Sequence, residues 1–505
     1  MGKLIKQSTK RDIKKRTMRV VAIAIVLFLL LSIVATVVWP YWAAPGGADE
    51  YQLQIQVLEE HQSLAIHETV MVTNRREQAV DSLFFHIYPN VFRRFTTLPF
   101  DDADLERALP EGFAPGGLDI QSVTVNEAAA EWAVQGADEA VLRVACGLSP
   151  GQSAQVEISY YLLLTGNRSV IGVSGGQWRL NGFYPTLAVY QEDQLQLYPY
   201  VAIGNAMFSH SARIAATLDA PAKWAVAASS ALNSIEGAEK GRALYSLDME
   251  GRMLGLAMGA KLKVAERSAA SGIKLRALTS VGGANALMDA AEKSLELFSS
   301  WFGEYPYATY TLVAADMLPS SAALPGIVYV REDIARGGKA TLAREVARAT
   351  ARQWWGGLVC ANPAEAPWLN EGLARYSEYL FVEETLGREA FLKILNEEVL
   401  PALKITIPGG MTVDSALARF QTEAEYEVVA CLRGAAVIHE LRSAMGLERL
   451  LSGLMTFATD NRFGIVDKLD LVNALNAGGG SWQETMDDYL LNIGEYANHY
   501  LEIYD

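Results

Sequence analysis

The sequence is poor in the residue types that most often build disulfide or metal sites. It has three cysteines and six histidines in 505 residues. The cysteines are odd in number and far apart, which excludes a disulfide framework and a four-thiolate zinc site. No two histidines lie four residues apart, so the helical spacing of a paired-histidine metal site is also missing. Stability must therefore come from the burial of apolar side chains.

Basic charge is scarce outside the N-terminus. The whole chain carries −15, yet its first 40 residues hold eight basic residues against one acidic residue, so the remainder carries −22. A body with that charge is repelled by phosphate backbones, which excludes a nucleic-acid partner. With 50% hydrophobic and 20% charged residues, the chain is a folded protein. Its length predicts two or three domains.

One long apolar run is present, and no second run approaches its length. Residues 20–39 contain no charged side chain, and twenty helical residues span a hydrocarbon core of about 30 Å. The basic cluster precedes this run, which predicts a cytoplasmic N-terminus and extracytoplasmic C-terminal domains. We therefore predict a single-pass cell-membrane protein in which residues 1–48 form the basic tail, the transmembrane helix and a tether. A cleaved signal peptide is the alternative, but its apolar region is usually shorter.

The hydrophobic period changes along the rest of the chain. Residues 49–268 contain alternating apolar and polar positions, as in residues 51–57, which predict an antiparallel β domain. Residues 269–505 have apolar side chains at helical spacing, as in residues 287–302, and predict a helix-rich domain.

Residues 344–380 carry two motifs at a fixed spacing. Gln353-Trp354 is followed by Trp368-Leu369-Asn370-Glu371-Gly372-Leu373-Ala374, and Arg352 precedes Glu371 by nineteen positions. This arrangement resembles the catalytic stretch of the aminopeptidase N family of zinc metallopeptidases, in which His-Glu-x-x-His is followed by Gln-Trp. Residues 83–90 and 182–188 also resemble that family. The resemblance implies a multidomain fold with a saddle-like antiparallel β domain, followed by a helix-rich thermolysin-like α+β domain at 269–505.

The positions that carry the family's zinc chemistry are replaced. The resemblance aligns its two histidine ligands with Arg348 and Arg352 and its general base with Ala349, and only the third ligand, Glu371, is retained. A guanidinium group has no lone pair to donate, and an alanine side chain takes no proton. One carboxylate does not hold a catalytic zinc ion, so the family's cofactor is predicted to be lost.

Two further catalytic positions are also changed. The resemblance aligns the family's oxyanion-stabilising tyrosine with Cys431, and the glutamate that holds the substrate's amine with Ala323. A thiol is a weaker hydrogen-bond donor than a phenol. Tyr426 is the nearest phenol, but its separation of five residues from Cys431 predicts a different part of the helix surface.

Three arginines form a stripe on one predicted helical face. Arg344, Arg348 and Arg352 recur every four residues. A solvated basic face is one interpretation, and replacement of the metal's charge by guanidinium groups paired with Glu371 is the other. Since two cations would face one anion, the cleft is also a candidate anion site for a peptide carboxylate. Its candidate residues are Arg348, Arg352, Glu371, Glu378 and Tyr426.

These observations predict a membrane-anchored pseudopeptidase with no functional catalytic residue. Its partners are predicted to be the lipid bilayer and a peptide or protein bound by the extracytoplasmic cleft or surface. One alternative is an active metallo-aminopeptidase with a rebuilt site that uses Glu371, Glu378 and Cys431. Chelator-sensitive hydrolysis of aminoacyl arylamides would reveal it. A second alternative is a structural subunit of a membrane complex, which copurification from detergent extracts would reveal.

Overall fold

The computed structural model describes residues 49–100, 103–201, 203–204 and 207–500. The predicted membrane segment at 20–39 lies outside these residues, together with the tail and tether around it. Within the described part of the chain, no helix is long and apolar enough to cross a membrane.

The strands follow the alternation of apolar and polar residues in the sequence. Every second side chain of the first strand is buried, because successive side chains point to opposite faces. The strands are β1 (Glu50–Leu58), β2 (Ser63–Thr73), β3 (Val80–His86), β4 (Gly117–Val125), β5 (Ala128–Ala129), β6 (Trp132–Gln135), β7 (Val141–Leu148), β8 (Ser153–Leu163), β9 (Ile171–Ser174), β10 (Gln177–Asn181), β11 (Thr186–Leu187), β12 (Tyr190–Gln191), β13 (Gln194–Leu195), β14 (Ala212–Pro221), β15 (Ala225–Ala228), β16 (Asn233–Ile235), β17 (Arg242–Gly251), β18 (Gly255–Gly259), β19 (Lys263–Ser268), β20 (Lys274–Thr279), β21 (Thr309–Ala315), β22 (Ser321–Leu324), β23 (Ile327–Arg331), β24 (Cys360–Ala361) and β25 (Ile465–Val466).

The β-rich part is built on an eight-stranded sheet with the order β16-β17-β14-β1-β2-β8-β4-β5. Two four-stranded sheets accompany it, with the orders β15-β18-β10-β9 and β11-β3-β7-β6. Most pairs are antiparallel, as predicted, but β1 pairs with β14 in parallel. The chain between β1 and β14 contains most of the domain, and a connection of that length permits a parallel pair.

Helices dominate the C-terminal part, as the helical spacing predicts. The α-helices are α1 (Leu105–Ala108), α2 (Ala284–Phe302), α3 (Glu332–Ala335), α4 (Lys339–Ala351), α5 (Pro367–Leu386), α6 (Arg388–Ile394), α7 (Leu400–Lys404), α8 (Glu423–Tyr426), α9 (Gly434–Met445), α10 (Leu447–Asp460), α11 (Lys468–Ala477) and α12 (Gln483–Asn492). Two π-helical segments lie at Leu395–Val399 and Glu427–Arg433. Short 3-10 segments lie at Glu59–His61, Tyr88–Phe92, Phe95–Thr97, Pro408–Gly410, Leu417–Arg419 and Ile493–Tyr500.

A five-stranded mixed sheet, β19-β20-β21-β23-β22, has one face in each of two hydrophobic cores. On β21, Tyr310 and Leu312 pack with the helices, whereas Val313 and Ala315 pack with the β-rich part. All seven residues of β21 are buried, which is typical of a strand covered on both faces. This sheet therefore belongs to both cores, and Ala48–Asp505 form one compact unit. The predicted domain boundary at 268/269 falls between its first two strands.

Candidate functional site

Two helices and a π-helical segment meet at the predicted site. Helix α4 and the residue that follows it supply Arg348 and Arg352, and α5 supplies Glu371. A Cβ atom on Gly372 would lie 2.8 Å from the backbone of Gly434. The backbone segments at Gly372 and Gly434 are therefore in contact, and a larger side chain at position 372 would prevent this contact. This close approach brings Glu371 next to the π-helical segment.

Arg352 forms a bidentate ion pair with Glu371. Its Nε donates to Oε1 of Glu371 at 2.9 Å, and its Nη2 donates to Oε2 at 2.6 Å. Arg348 approaches the same carboxylate, with 3.4 Å from Nη2 to Oε2. Both arginines therefore contact Glu371, as the spacing of the stripe predicts. Both guanidinium groups are largely withdrawn from solvent, with side-chain exposures of 8% for Arg348 and 18% for Arg352.

Further carboxylates surround these arginines. Nη2 of Arg348 donates to Glu427 at 3.0 Å, and Arg375 forms ion pairs with Glu427 and Glu378. Arg344 binds Glu378 and Glu398, each at 2.7 Å. The arginine stripe is therefore the basic half of a buried ionic network and not a solvated face. We refer to these four arginines and their carboxylates as the ionic network. Its members are Arg344, Arg348, Arg352, Arg375, Glu371, Glu378, Glu398 and Glu427.

The arginines of the ionic network lower the pKa values of Glu427 and Glu371. Burial by itself raises the pKa of Glu427, but Arg348 and Arg375 outweigh burial and hold that pKa at about 2. Burial likewise opposes ionisation of Glu371, yet Arg352 and Arg348 lower its pKa below the ordinary value. Both carboxylates are therefore ionised at neutral pH and act as hydrogen-bond acceptors only.

Cys431 and Tyr426 both lie near Glu371. The Cys431 thiol lies 3.3 Å from Nη2 of Arg348 and 4.0 Å from Oε2 of Glu371. Burial raises the pKa of this thiol and also that of the Tyr426 phenol. The prediction that Tyr426 faces elsewhere was wrong, because the segment between the two residues is π-helical. A five-residue step turns an α-helix by about 140°, but π-helical hydrogen bonds join residues five apart.

A cavity of about 50 Å³ adjoins the ionic network. Its walls include Arg352, Glu371, Tyr426 and Ala323, all singled out in the sequence, together with Arg252. Space of that size holds only a few water molecules. Arg348, Glu378, Ala349 and Cys431 do not line it. Glu378, only 1% exposed, binds two arginines behind the cavity.

The retained motif residues hold the scaffold together. Gln353 donates to the carbonyl of Leu324 and accepts from the amide of Gly326. Asn370 makes two hydrogen bonds with the backbone of Ala361. These contacts fix the segment after α4 to the five-stranded sheet and α5 to β24. Gln353 and Asn370 therefore have structural contacts that involve none of positions 348, 349 and 352.

The hypothesis of spare positive charge at Arg348 and Arg352 missed acidic partners. Glu427 lies four residues before Cys431, and this i, i+4 spacing could have placed it on the same face. Glu345 is a second missed carboxylate, since burial opposes its ionisation but Arg348 and Arg352 lower its pKa. The charges of these arginines are therefore matched within the protein.

Comparisons with known proteins show similarity to M1 peptidases. Residues 286–490 match the Peptidase family M1 domain. Aminopeptidase M1-B of Oryza sativa subsp. japonica is 30% identical over 210 residues, which cover 38% of this chain and 24% of that protein. The thyrotropin-releasing hormone-degrading ectoenzyme of Rattus norvegicus is 30% identical over 155 residues, covering 28% of this chain and 14% of that enzyme. The chain thus matches about a quarter or less of the length of these relatives.

A solved M1 structure has the same fold over most of the chain. The M1 zinc metallopeptidase from Deinococcus radiodurans aligns with a TM-score of 0.62 over 90% of this chain and 96% of that one, at 17% identity. At that identity the alignment establishes the fold. Together the matches show similarity to the M1 peptidase domain over residues 286–490 and an M1-like fold with a β-rich N-terminal part and a helical C-terminal part.

The residues at the M1 metal-ligand positions do not fit a zinc ion. Arg348 and Arg352 have no lone pairs, and both oxygens of Glu371 are bound by Arg352. Among the described residues, no group of three or more histidine, cysteine or acidic side chains could hold a metal ion.

Proposed function

We propose that this protein is an M1-type pseudopeptidase, anchored in a membrane by residues 20–39, that binds a peptide or protein partner outside the membrane. The observation that supports the loss of catalysis is the bidentate pair between Arg352 and Glu371. In this proposal the arginines replace the charge of the metal, because two guanidinium groups meet the carboxylate that a zinc ion would require.

Restoring a zinc site would require more than a side-chain rotation. The ionic network joins α4, α5 and the π-helical segment through charged groups that are mostly buried. Removing one partner from such a pair leaves an uncompensated charge, which costs about 3–5 kcal/mol. The network therefore stabilises the cleft in a metal-free form.

The alternative of a rebuilt hydrolytic site has little support from the contacts. Glu371 and Glu378 are held by arginines, so neither is free to act as a general base. Cys431 has its pKa raised by burial, whereas a nucleophilic cysteine requires a lowered pKa. Neither group resembles an activated catalytic residue.

Zinc content and hydrolysis of the purified full chain test the loss of catalysis. We expect zinc far below one ion per chain after loading and buffer exchange, and no release of arylamine from aminoacyl arylamides. One tightly bound zinc per chain together with chelator-sensitive hydrolysis would refute the proposal.

Membrane anchoring is tested separately by fractionation of cells that express the full chain. We expect the protein in the membrane pellet after alkaline carbonate extraction, and in the soluble fraction when residues 20–39 are deleted. Recovery of the unaltered chain in the carbonate supernatant would contradict the proposed anchor.

A further inference from the structure

A second cation lines the cavity beside Glu371. Arg252 is 5% exposed and forms part of the cavity wall. Its guanidinium group donates to the carbonyl of Gly357 at 3.2 Å, to the carbonyl of Ser209 at 3.0 Å, and to the carbonyl of Gly464. Among the described residues it forms no ion pair with a carboxylate. Two of its five N–H groups therefore take no part in these three hydrogen bonds.

The absence of a carboxylate distinguishes Arg252 from the other deeply buried arginine held by uncharged acceptors. Arg179 also binds two carbonyl groups and a serine hydroxyl, but Asp316 and Glu332 lie close enough to stabilise its charge. For Arg252, burial lowers the pKa, and the neighbours that counter burial are the neutral side chains of Cys360 and Tyr307. A buried charge without a counter-ion is costly, so a bound anion would be stabilised here.

The other residues of the cavity wall indicate the chemistry of the rest of the ligand. Met253, Leu324, Pro363 and Trp355 supply apolar surface around the polar groups. Of the described residues in the wall, Glu371 alone is acidic, and its two oxygens are bound by Arg352. The cavity therefore offers a cation for a carboxylate but no available anion for an ammonium group.

We propose that the cleft binds a monocarboxylate on a short apolar stem, such as the C-terminal carboxylate of a peptide, with the carboxylate on Arg252. This inference rests on the proposed function, because it names the ligand of an inactive cleft. It also reverses the polarity of recognition, since an aminopeptidase holds the free amine of its substrate. Because a cavity of about 50 Å³ holds only a few water molecules, it admits a terminal carboxylate group and not a residue from the middle of a chain.

Calorimetric titration of the full chain in detergent tests the proposal with three probes. N-acetyl-L-leucine has a carboxylate and no amine, N-acetyl-L-leucinamide has neither, and L-leucinamide has an amine alone. We expect the acid to bind at least roughly tenfold more tightly than either amide, because only the acid forms charge-assisted hydrogen bonds with a guanidinium group. Binding of N-acetyl-L-leucine that a peptide with the same C-terminus displaces would identify a peptide end as the ligand. Binding of the acid without displacement would identify a free carboxylic acid.

Two variants separate recognition from structure. Arg252→Gln should remove the difference between N-acetyl-L-leucine and its amide. Arg336→Gln should preserve that difference, because Arg336 is an exposed arginine that binds a backbone carbonyl outside the cavity wall. If Arg252→Gln does not fold, equal affinity of the unaltered protein for the acid and the amide would still overturn the proposal.

Equal affinity for the acid and the amide, or no binding of either, would overturn the carboxylate site. That outcome without zinc or hydrolysis would leave the proposed pseudopeptidase intact. Preference for L-leucinamide with chelator-sensitive hydrolysis would overturn both proposals.

Discussion

Arg352 and Glu371 form a bidentate ion pair, with N–O distances of 2.9 and 2.6 Å, at two positions that the M1 resemblance assigns to zinc ligands. The pair joins the residue after α4 to the fifth residue of α5. It places a cation and an anion in direct contact where the resemblance implies two ligands around a metal. The stability of this region therefore depends on that contact.

Arg352→Ala should lower the free energy of unfolding by about 3 kcal/mol, because Glu371 would remain buried with only the longer contact from Arg348. Urea unfolding of the full chain, followed by tryptophan fluorescence, measures the change. Arg336→Ala removes an exposed arginine and serves as the matched control, with an effect below about 0.5 kcal/mol. Equal stability of the two variants would show that the pair contributes nothing.

Glu427→Gln should flatten the loss of stability in acid. The pKa of Glu427 is about 2, below its ordinary 4.5, so its ionised form stabilises the fold fully above pH 4.5 and progressively less toward pH 2. The unaltered chain should therefore lose free energy of unfolding more steeply in this window than the variant. Urea titrations at a series of pH values measure the slope. Glu397→Gln, at an exposed carboxylate with a 3.9 Å ion pair, should leave that slope unchanged.

The triple variant Arg348→His, Ala349→Glu and Arg352→His should bind zinc before it gains peptidase activity. Arg348 and Arg352 both contact Glu371, so imidazoles at their positions would converge on that carboxylate. Metal analysis after buffer exchange measures binding, and arylamide hydrolysis measures activity.

A matched control for zinc binding adds Glu371→Gln to the same three substitutions. Because that change removes the third ligand, the quadruple variant should lose the zinc that the triple variant retains. Failure of a folded triple variant to bind zinc would show that the alignment of positions 348, 349 and 352 with the M1 zinc site is wrong.

The thiols should be unreactive in the folded protein. Cys146, Cys360 and Cys431 are all free and buried, and burial raises the pKa of each. We expect no modification by a thiol-reactive disulfide reagent at neutral pH, and three modified thiols per chain after unfolding. Rapid native labelling of Cys431 would instead support the rebuilt hydrolytic site.

Much of the scaffold could be predicted from local patterns. The alternation at residues 51–57 predicted β1, and the apolar spacing from Leu287 to Phe302 predicted most of α2. The resemblance implies an α+β domain at 269–505, but hydrophobic periodicity did not locate its five-stranded sheet, because β21 is buried on both faces and shows no alternation. The predicted boundary at 268/269 separates β19 from β20, although these two strands pair as neighbours in one sheet.

Some features of the site could likewise be predicted from the sequence, and others could not. The position of Glu371 relative to Arg348 and Arg352 followed from motif spacing. The position of Tyr426 beside Cys431 depended on a π-helical segment that α-helical spacing does not predict. Arg252 went unnoticed because it is distant in sequence from the motifs and reaches the cavity only through packing of the β-rich part against the helices.

The sequence by itself determined the alternation of the strands, the helical period and the chemical types at positions 348, 349, 352 and 371, because these are properties of residue order. Only the tertiary structure decided which charges are matched. Glu427 reaches Arg348 and Arg375 through the close approach of Gly372 and Gly434, whereas Arg252 remains without a carboxylate among the described residues. Ion pairing depends on distances between segments far apart in the chain, and packing sets those distances.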